Sequence, residues 1–189
     1  MQLLGSQMTD IPVMSLHTGG PIGQLEKPVI DPSNLMILAY TLKGPLLTEH
    51  PSLLRVADIR EMGHLGMIVD GSDEIIGLDD VVKIKELYEL SFSLIGMNVV
   101  DEHKHKLGKV EDYTIEATSF SIQKLKVKRG FFKGLTDTGP LIHRSQIVDI
   151  NRTTVTVKST AKKVVEREKE SSHFDYVNPF RKADPQPDA

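Results

Sequence analysis

Lys124, Lys126 and Lys128 recur at every second position, Arg129 and Lys133 follow, and Phe131-Phe132 lies between those two. Three lysines on one face of a strand can follow a phosphate backbone, and a neighbouring aromatic ring can stack on a base. The same alternation also places lysines on the solvent side of a half-buried strand, where they discourage edge pairing. These five cations therefore form a candidate face for nucleic acid or an acidic partner. His103 and His105 flank Lys104, and two imidazoles at i and i+2 can point the same way toward a metal. No third ligand stands near them, so a solvated turn is expected, with no metal and no other cofactor. The carboxylate pairs Asp79-Asp80 and Glu111-Asp112 have no second catalytic group at a recognisable spacing. No Gly-rich phosphate loop, nucleophile elbow or zinc-protease motif occurs, so no catalytic residue is assigned and enzymatic activity is not expected. Phe174, Tyr176 and Phe180 sit in a polar tail. They suit a docking peptide that orders on binding, or they pack back onto the body of the chain.

The elements that would carry these residues read as short strands. The clearest run covers residues 91 to 160. Leu94 to Val100 is an apolar strand candidate, and Asp101 to Lys106 a charged turn, after which Leu107-Gly108-Lys109-Val110 starts the return strand. Phe120, Ile122, Leu125 and Val127 alternate with polar residues, with a slip at Gln123-Lys124 that predicts a bulge. After a loop from Gly130 to Gly139, Leu141 to His143 and Gln146 to Ile150 form a further strand region, and Thr153 to Val157 closes the module.

Much of this layout occurs twice. Ile22-Gly23-Gln24-Leu25 and the run Leu35 to Leu42 are answered by Leu107-Gly108-Lys109-Val110 and the run Phe120 to Val127, at the same spacing. Leu54 to Ile59 is answered by Ile142 to Ile147, and Met62, Met67 and Val69 fall on Ile150, Val155 and Val157. Two copies imply duplicated domains and not a solenoid. Gly23 and Gly108 occupy equivalent places after the hairpin turns, where glycine permits a positive φ or a close strand approach. In the first copy Pro12 and Pro21 demand edge strands or bulges. Between the copies Asp79 to Tyr88 predicts a short helix, with Asp79 or Asp80 as N-cap and Val81, Ile84, Leu87 and Tyr88 on one face.

The expected fold is thus mainly β: two small barrels at 1–75 and 91–160, a helical linker at 76–90, and a charged, partly disordered tail at 161–189. Residues 1–75 hold 4 Lys/Arg against 9 Asp/Glu, whereas residues 91–160 hold 11 against 7, so the copies carry opposite charge. Drift of solvent-facing positions explains this, as does attraction between the halves or a basic half meeting an acidic partner. The absence of Cys excludes disulfides and thiolate chemistry and fits a reducing compartment. The N-terminus does not read as a signal peptide and no segment reads as a membrane span, so a cytoplasmic protein is expected.

The hairpin, the Leu107-Gly108-Lys109-Val110 step, the long alternating strand and the closing Leu141-Ile142-His143-Arg144-Ser145-Gln146-Ile147-Val148-Asp149-Ile150 resemble the PRC-barrel family. Residues 22–25 and 54–59 supply the weaker copy. The resemblance implies a compact β-barrel used as an assembly surface, as in the cytoplasmic part of the photosynthetic reaction-centre H subunit and the C-terminal domain of a bacterial ribosome-maturation factor. It supplies no shared catalytic residues. The function implied is a non-enzymatic, protein-binding scaffold. The alternative is an RNA- or ribosome-associated assembly factor acting through the basic face of the second copy.

Overall fold

In the computed structural model, residues 1–128 and 139–159 are described, and short strands dominate them. In chain order these are β1 (Gln2–Leu4), β2 (Pro12–Ser15), β3 (Pro21–Asp31), β4 (Met36–Lys43), β5 (Ser52–Arg55), β6 (Glu61–Gly63), β7 (Gly66–Val69) and β8 (Ile75–Ile76). One α-helix, α1 (Val82–Glu89), follows. The remainder is β9 (Asn98–Asp101), β10 (Lys106–Glu116), β11 (Ser121–Lys128), β12 (Leu141–His143), β13 (Ile147–Ile150) and β14 (Thr154–Val157). The mainly β reading of the sequence is thus the observed fold class.

Strand pairing follows one pattern twice. In the first half the ladder runs β6-β7-β2-β3-β4-β5, and in the second β13-β14-β9-β10-β11-β12. In both the hairpins are antiparallel, and the first strand pairs in parallel with the last: β2 with β7, β9 with β14. The details also match. Opposite β3 the register skips Leu38, and opposite β10 it skips Gln123, the bulge predicted from the apolar slip. Turn hydrogen bonds recur at equivalent residues: Asp10 N–H donates to Leu25 O at 2.9 Å, and Gly96 N–H to Val110 O at 2.8 Å. Leu25 N–H donates to Ile11 O and Val110 N–H to Met97 O, both at 2.9 Å.

The halves join at equivalent positions. Met36 of β4 lies opposite Ser121 of β11. Ile37 N–H donates to Phe120 O at 3.0 Å and Ile122 N–H to Leu35 O at 2.9 Å, so the junction has an approximate local two-fold arrangement. Leu35 and Phe120 both adopt left-handed backbone angles, φ 54° and 52°. That conformation costs each residue roughly 1–2 kcal/mol. Both side chains are buried, and the burial offsets that cost.

Two expectations are corrected. First, the barrels do not close: among the described residues no pairing joins β5 to β6 or β12 to β13, because a 3-10 turn (Val56–Asp58, Arg144–Gln146) interrupts each connection. All fourteen strands belong to one sheet, and one hydrophobic cluster runs from Val13, Ile37 and Leu54 to Ile122, Leu125 and Val155. Met1–Ser159 forms one compact unit. Second, the strand expected from Leu94 starts only at Asn98. Leu94 to Met97 is a turn, with Gly96 at φ 88° and Met97 N–H bonded to Leu94 O at 3.2 Å. Pro12 and Pro21 are each the first residue of their strand, with a bulge between Val13 and Met14. β2 is interior to the ladder, so of the two arrangements expected for these prolines the bulge is the one found.

The segment before each half packs on the other half. β1 pairs with β10, and its following turn Gly5–Met8 places Ser6 on Asp112: Ser6 N–H donates to Oδ1 at 3.1 Å and Ser6 Oγ to Oδ2 at 2.6 Å. α1 buries Ile84 and Leu87 against Val29, Ala39 and Leu53 of the first half. The helix starts three residues later than the sequence suggested. A 3-10 turn, Leu78–Asp80, precedes it, and Asp80 accepts the Gly77 N–H at 2.6 Å instead of capping α1.

Candidate interaction surface

β11 positions the lysines. Leu125 and Val127 face the core at 0% and 1% exposure, which turns the alternate residues Lys124, Lys126 and Lys128 to the other face. Lys124 is half-buried, opposite Thr114 of β10 and His143 of β12. Lys126 is exposed, and its Nζ sits 2.9 Å from Glu111 Oε2. That carboxylate raises the Lys126 pKa, and Lys126 in turn lowers that of Glu111. Lys128 is exposed and directly opposite Lys109, a like-charge pair that favours an anionic neighbour. Arg129 and Lys133, and likewise Phe174, Tyr176 and Phe180, lie outside the described residues.

The turn carrying His103 and His105 is organised by Asp101. Its Oδ1 accepts the His103 N–H at 2.8 Å and the His105 N–H at 2.9 Å, and Oδ2 lies 2.9 Å from His105 Nδ1. Burial pushes the Asp101 pKa up, but the His105 ring and these two amides outweigh it and hold the carboxyl below its ordinary range. Ser15 serves the matching turn of the first half, accepting the Thr18 N–H at 3.3 Å. Among the described residues no group of three or more His, Asp or Glu could hold a metal ion.

The two glycines make the same close approach. A Cβ on Gly23 would lie 2.9 Å from the Lys43 carbonyl oxygen, and one on Gly108 would strike the carbonyl of Lys128, its counterpart. Gly108 also has φ +145°. The paired carboxylates bind within the fold: Asp79 to Lys85 Nζ at 2.6 Å, Asp80 to Gly77, Glu111 to Lys126 and Asp112 to Ser6.

Two surface features escaped the sequence reading. A cavity of about 560 Å³ opens between β3, the end of α1 and the turn after β1, lined by Lys27, Thr41, Tyr88, Phe92 and Tyr113 among others. Both its size and its mostly apolar lining are those usual for a small-molecule site. Burial, with a contribution from the Asp112 charge, raises the Tyr113 pKa, so its hydroxyl stays neutral. The second feature is Leu141, 56% exposed on β12. The sequence held no signal for it, since the residue at the equivalent position, Leu53, is buried. No helix among the described residues is long and apolar enough to cross a membrane.

Residues 88–164 match the PRC-barrel domain, a span that covers β9 to β14. No curated protein matches the chain.

Proposed function

We propose that this chain is a non-enzymatic, protein-binding scaffold made of two PRC-type modules, residues 1–75 and 91–160, with 76–90 between them. The observation that carries the reading is the PRC-barrel domain at 88–164, a family of non-catalytic modules commonly used in protein interaction. The repeated strand order and matching bulges support extending it to the first half. The tail aromatics Phe174, Tyr176 and Phe180 are proposed as a second point of attachment for a partner. The test is affinity purification of the full chain and of a variant lacking residues 171–189. A stoichiometric, nuclease-resistant protein is expected with the full chain and less of it with the variant. Recovery of no protein, or of nucleic acid alone, overturns the scaffold reading.

A second reading, binding of RNA or ribosomes, is favoured by one observation: Lys109 and Lys128 face each other beside Lys124 and Lys126, with Arg129 and Lys133 next in sequence. It requires co-sedimentation with ribosomes that weakens with salt and on replacing Lys124, Lys126 and Lys128 by Ser. Salt-independent behaviour rules it out.

A further inference from the structure

In the first half β5 has a strand on each side. β4 covers one edge and β8 the other, with Leu53 opposite Ile76 and Leu54 opposite Ile75. Its counterpart β12 pairs with β11 alone, and no strand among the described residues pairs with its outer edge. Equivalent positions place Leu53, Leu54 and Arg55 on Leu141, Ile142 and His143. The consequence is visible in burial. Leu53 is 0% exposed beneath β8 and α1, whereas Leu141 is 56% exposed. Ile142, facing the common core, is buried like Leu54.

The charges around the two edges are complementary in the same sense. The segment that contributes β8 reads Ser72-Asp73-Glu74-Ile75-Ile76-Gly77-Leu78-Asp79-Asp80, two isoleucines between acidic pairs. Arg55, at the end of β5, is bonded by Asp58 and also lies in the field of Glu74. At the matching end of β12 stands His143, with Lys124 opposite it and Arg144 next in sequence. An unpaired strand edge offers a row of main-chain donors and acceptors, and a neighbouring pocket or charge selects what is added.

We propose that the outer edge of β12 is a docking edge for an extended segment of a partner protein, in which acidic residues precede two adjacent apolar ones. This rests on the scaffold reading above and names its binding chemistry. The incoming main chain extends the ladder beyond β12. One apolar side chain covers Leu141, the other faces the core beside Ile142, and the acidic residues meet His143 and Lys124.

The test titrates the full chain into a fluorescently labelled peptide with the sequence of residues 72–80 and follows anisotropy. Saturable binding is expected, lost when both isoleucines of the peptide become proline. Leu141→Asp should weaken it by about tenfold or more, since the apolar cover is lost. His143→Asp should also weaken it. The His143 side chain accepts the Ser145 N–H at the start of a 3-10 turn, a role Asp can take, so this variant introduces a negative charge without removing the cap. Circular dichroism and melting confirm that both variants fold. No binding, or binding that both variants retain because the peptide displaces β8 from β5, overturns the proposal. A dimer that Leu141→Asp converts to monomer assigns the edge to a second copy and overturns it equally. Capture of a cellular partner that survives Leu141→Asp overturns the edge alone, while capture of no protein overturns the scaffold reading beneath it.

Discussion

Leu35 and Phe120 hold positive φ values of 54° and 52° at the junction of the halves, although neither residue type favours that region. Their side chains are apolar and sit before alternating strands, which is what the sequence shows of them, and the backbone angle follows from pairing across the junction. Tyr40 packs edge-to-face on Phe120 with ring centroids 6.4 Å apart, yet its buried hydroxyl has no hydrogen-bond partner among the described residues. Tyr40→Phe is therefore expected to be neutral or to stabilise by up to about 1 kcal/mol, measured by denaturant unfolding. Gly108→Ala combines a positive φ with a clash on the Lys128 carbonyl and should cost about 1–3 kcal/mol in the same assay. Gly20→Ala, with its nearest contact at 3.7 Å, should cost far less. Asp31 carries a pH dependence. Burial raises its pKa, but the Ser33 hydroxyl at 2.6 Å, the Lys83 ammonium at 3.1 Å and the Ser33 amide outweigh that and lower it overall. A lowered folded value means the ionised form stabilises the fold above the ordinary carboxylate pKa of about 4, and that contribution disappears as pH falls through the folded value. Asp31→Asn should flatten the loss of stability on acidification below about pH 4, followed by thermal melts across pH.

At the scale of elements, periodicity carried the long strand β11 and the bulge at Gln123, because a period of two that slips by one residue has a direct geometric meaning, while the hairpin signal gave only the start of β10. It misplaced the start of β9 and of α1. Leu94 to Met97 is apolar and β-prone, but Gly96 at φ 88° turns the chain there, and burial of Leu94 in the core accounts for its apolar character. For α1, Asp79 and Asp80 are plausible caps by composition, but they are taken by Lys85 and by the 3-10 turn. What no local pattern revealed is that each leading segment crosses to the opposite half. Two substitutions test that crossing. Ser6→Ala withdraws the hydroxyl donor from Asp112, a carboxylate at 7% exposure, and should cost about 1–3 kcal/mol. Leu87→Ala opens the α1 contact with Val29 and Leu53 and should cost about 2–4 kcal/mol. If each change lowers stability without altering the cooperativity of unfolding, the crossed segments belong to the same folding unit as the strands they cover.

For the molecule as a whole, the shared core and crossed segments predict mutual dependence. Fragments 1–75 and 91–159 expressed separately should show no cooperative melting transition, whereas the intact chain should melt in a single transition by circular dichroism. Fragments that melt as high as the intact chain would show that each half is stable alone. The recurrence of similar residues at matching spacings, the mainly β character, the opposite charges of the halves and the alternating lysines are all properties of the sequence itself, since each depends on residue types at fixed spacings along one chain. The joining of Met36 to Ser121, the crossing of β1 and α1, the open cavity beside Tyr113 and an outer edge of β12 that no other described strand pairs were decided only by tertiary structure. Each depends on which surfaces far apart in sequence bury one another. Leu53 and Leu141 are the same residue at equivalent positions, and only what packs over them makes one a core side chain and the other part of an exposed edge.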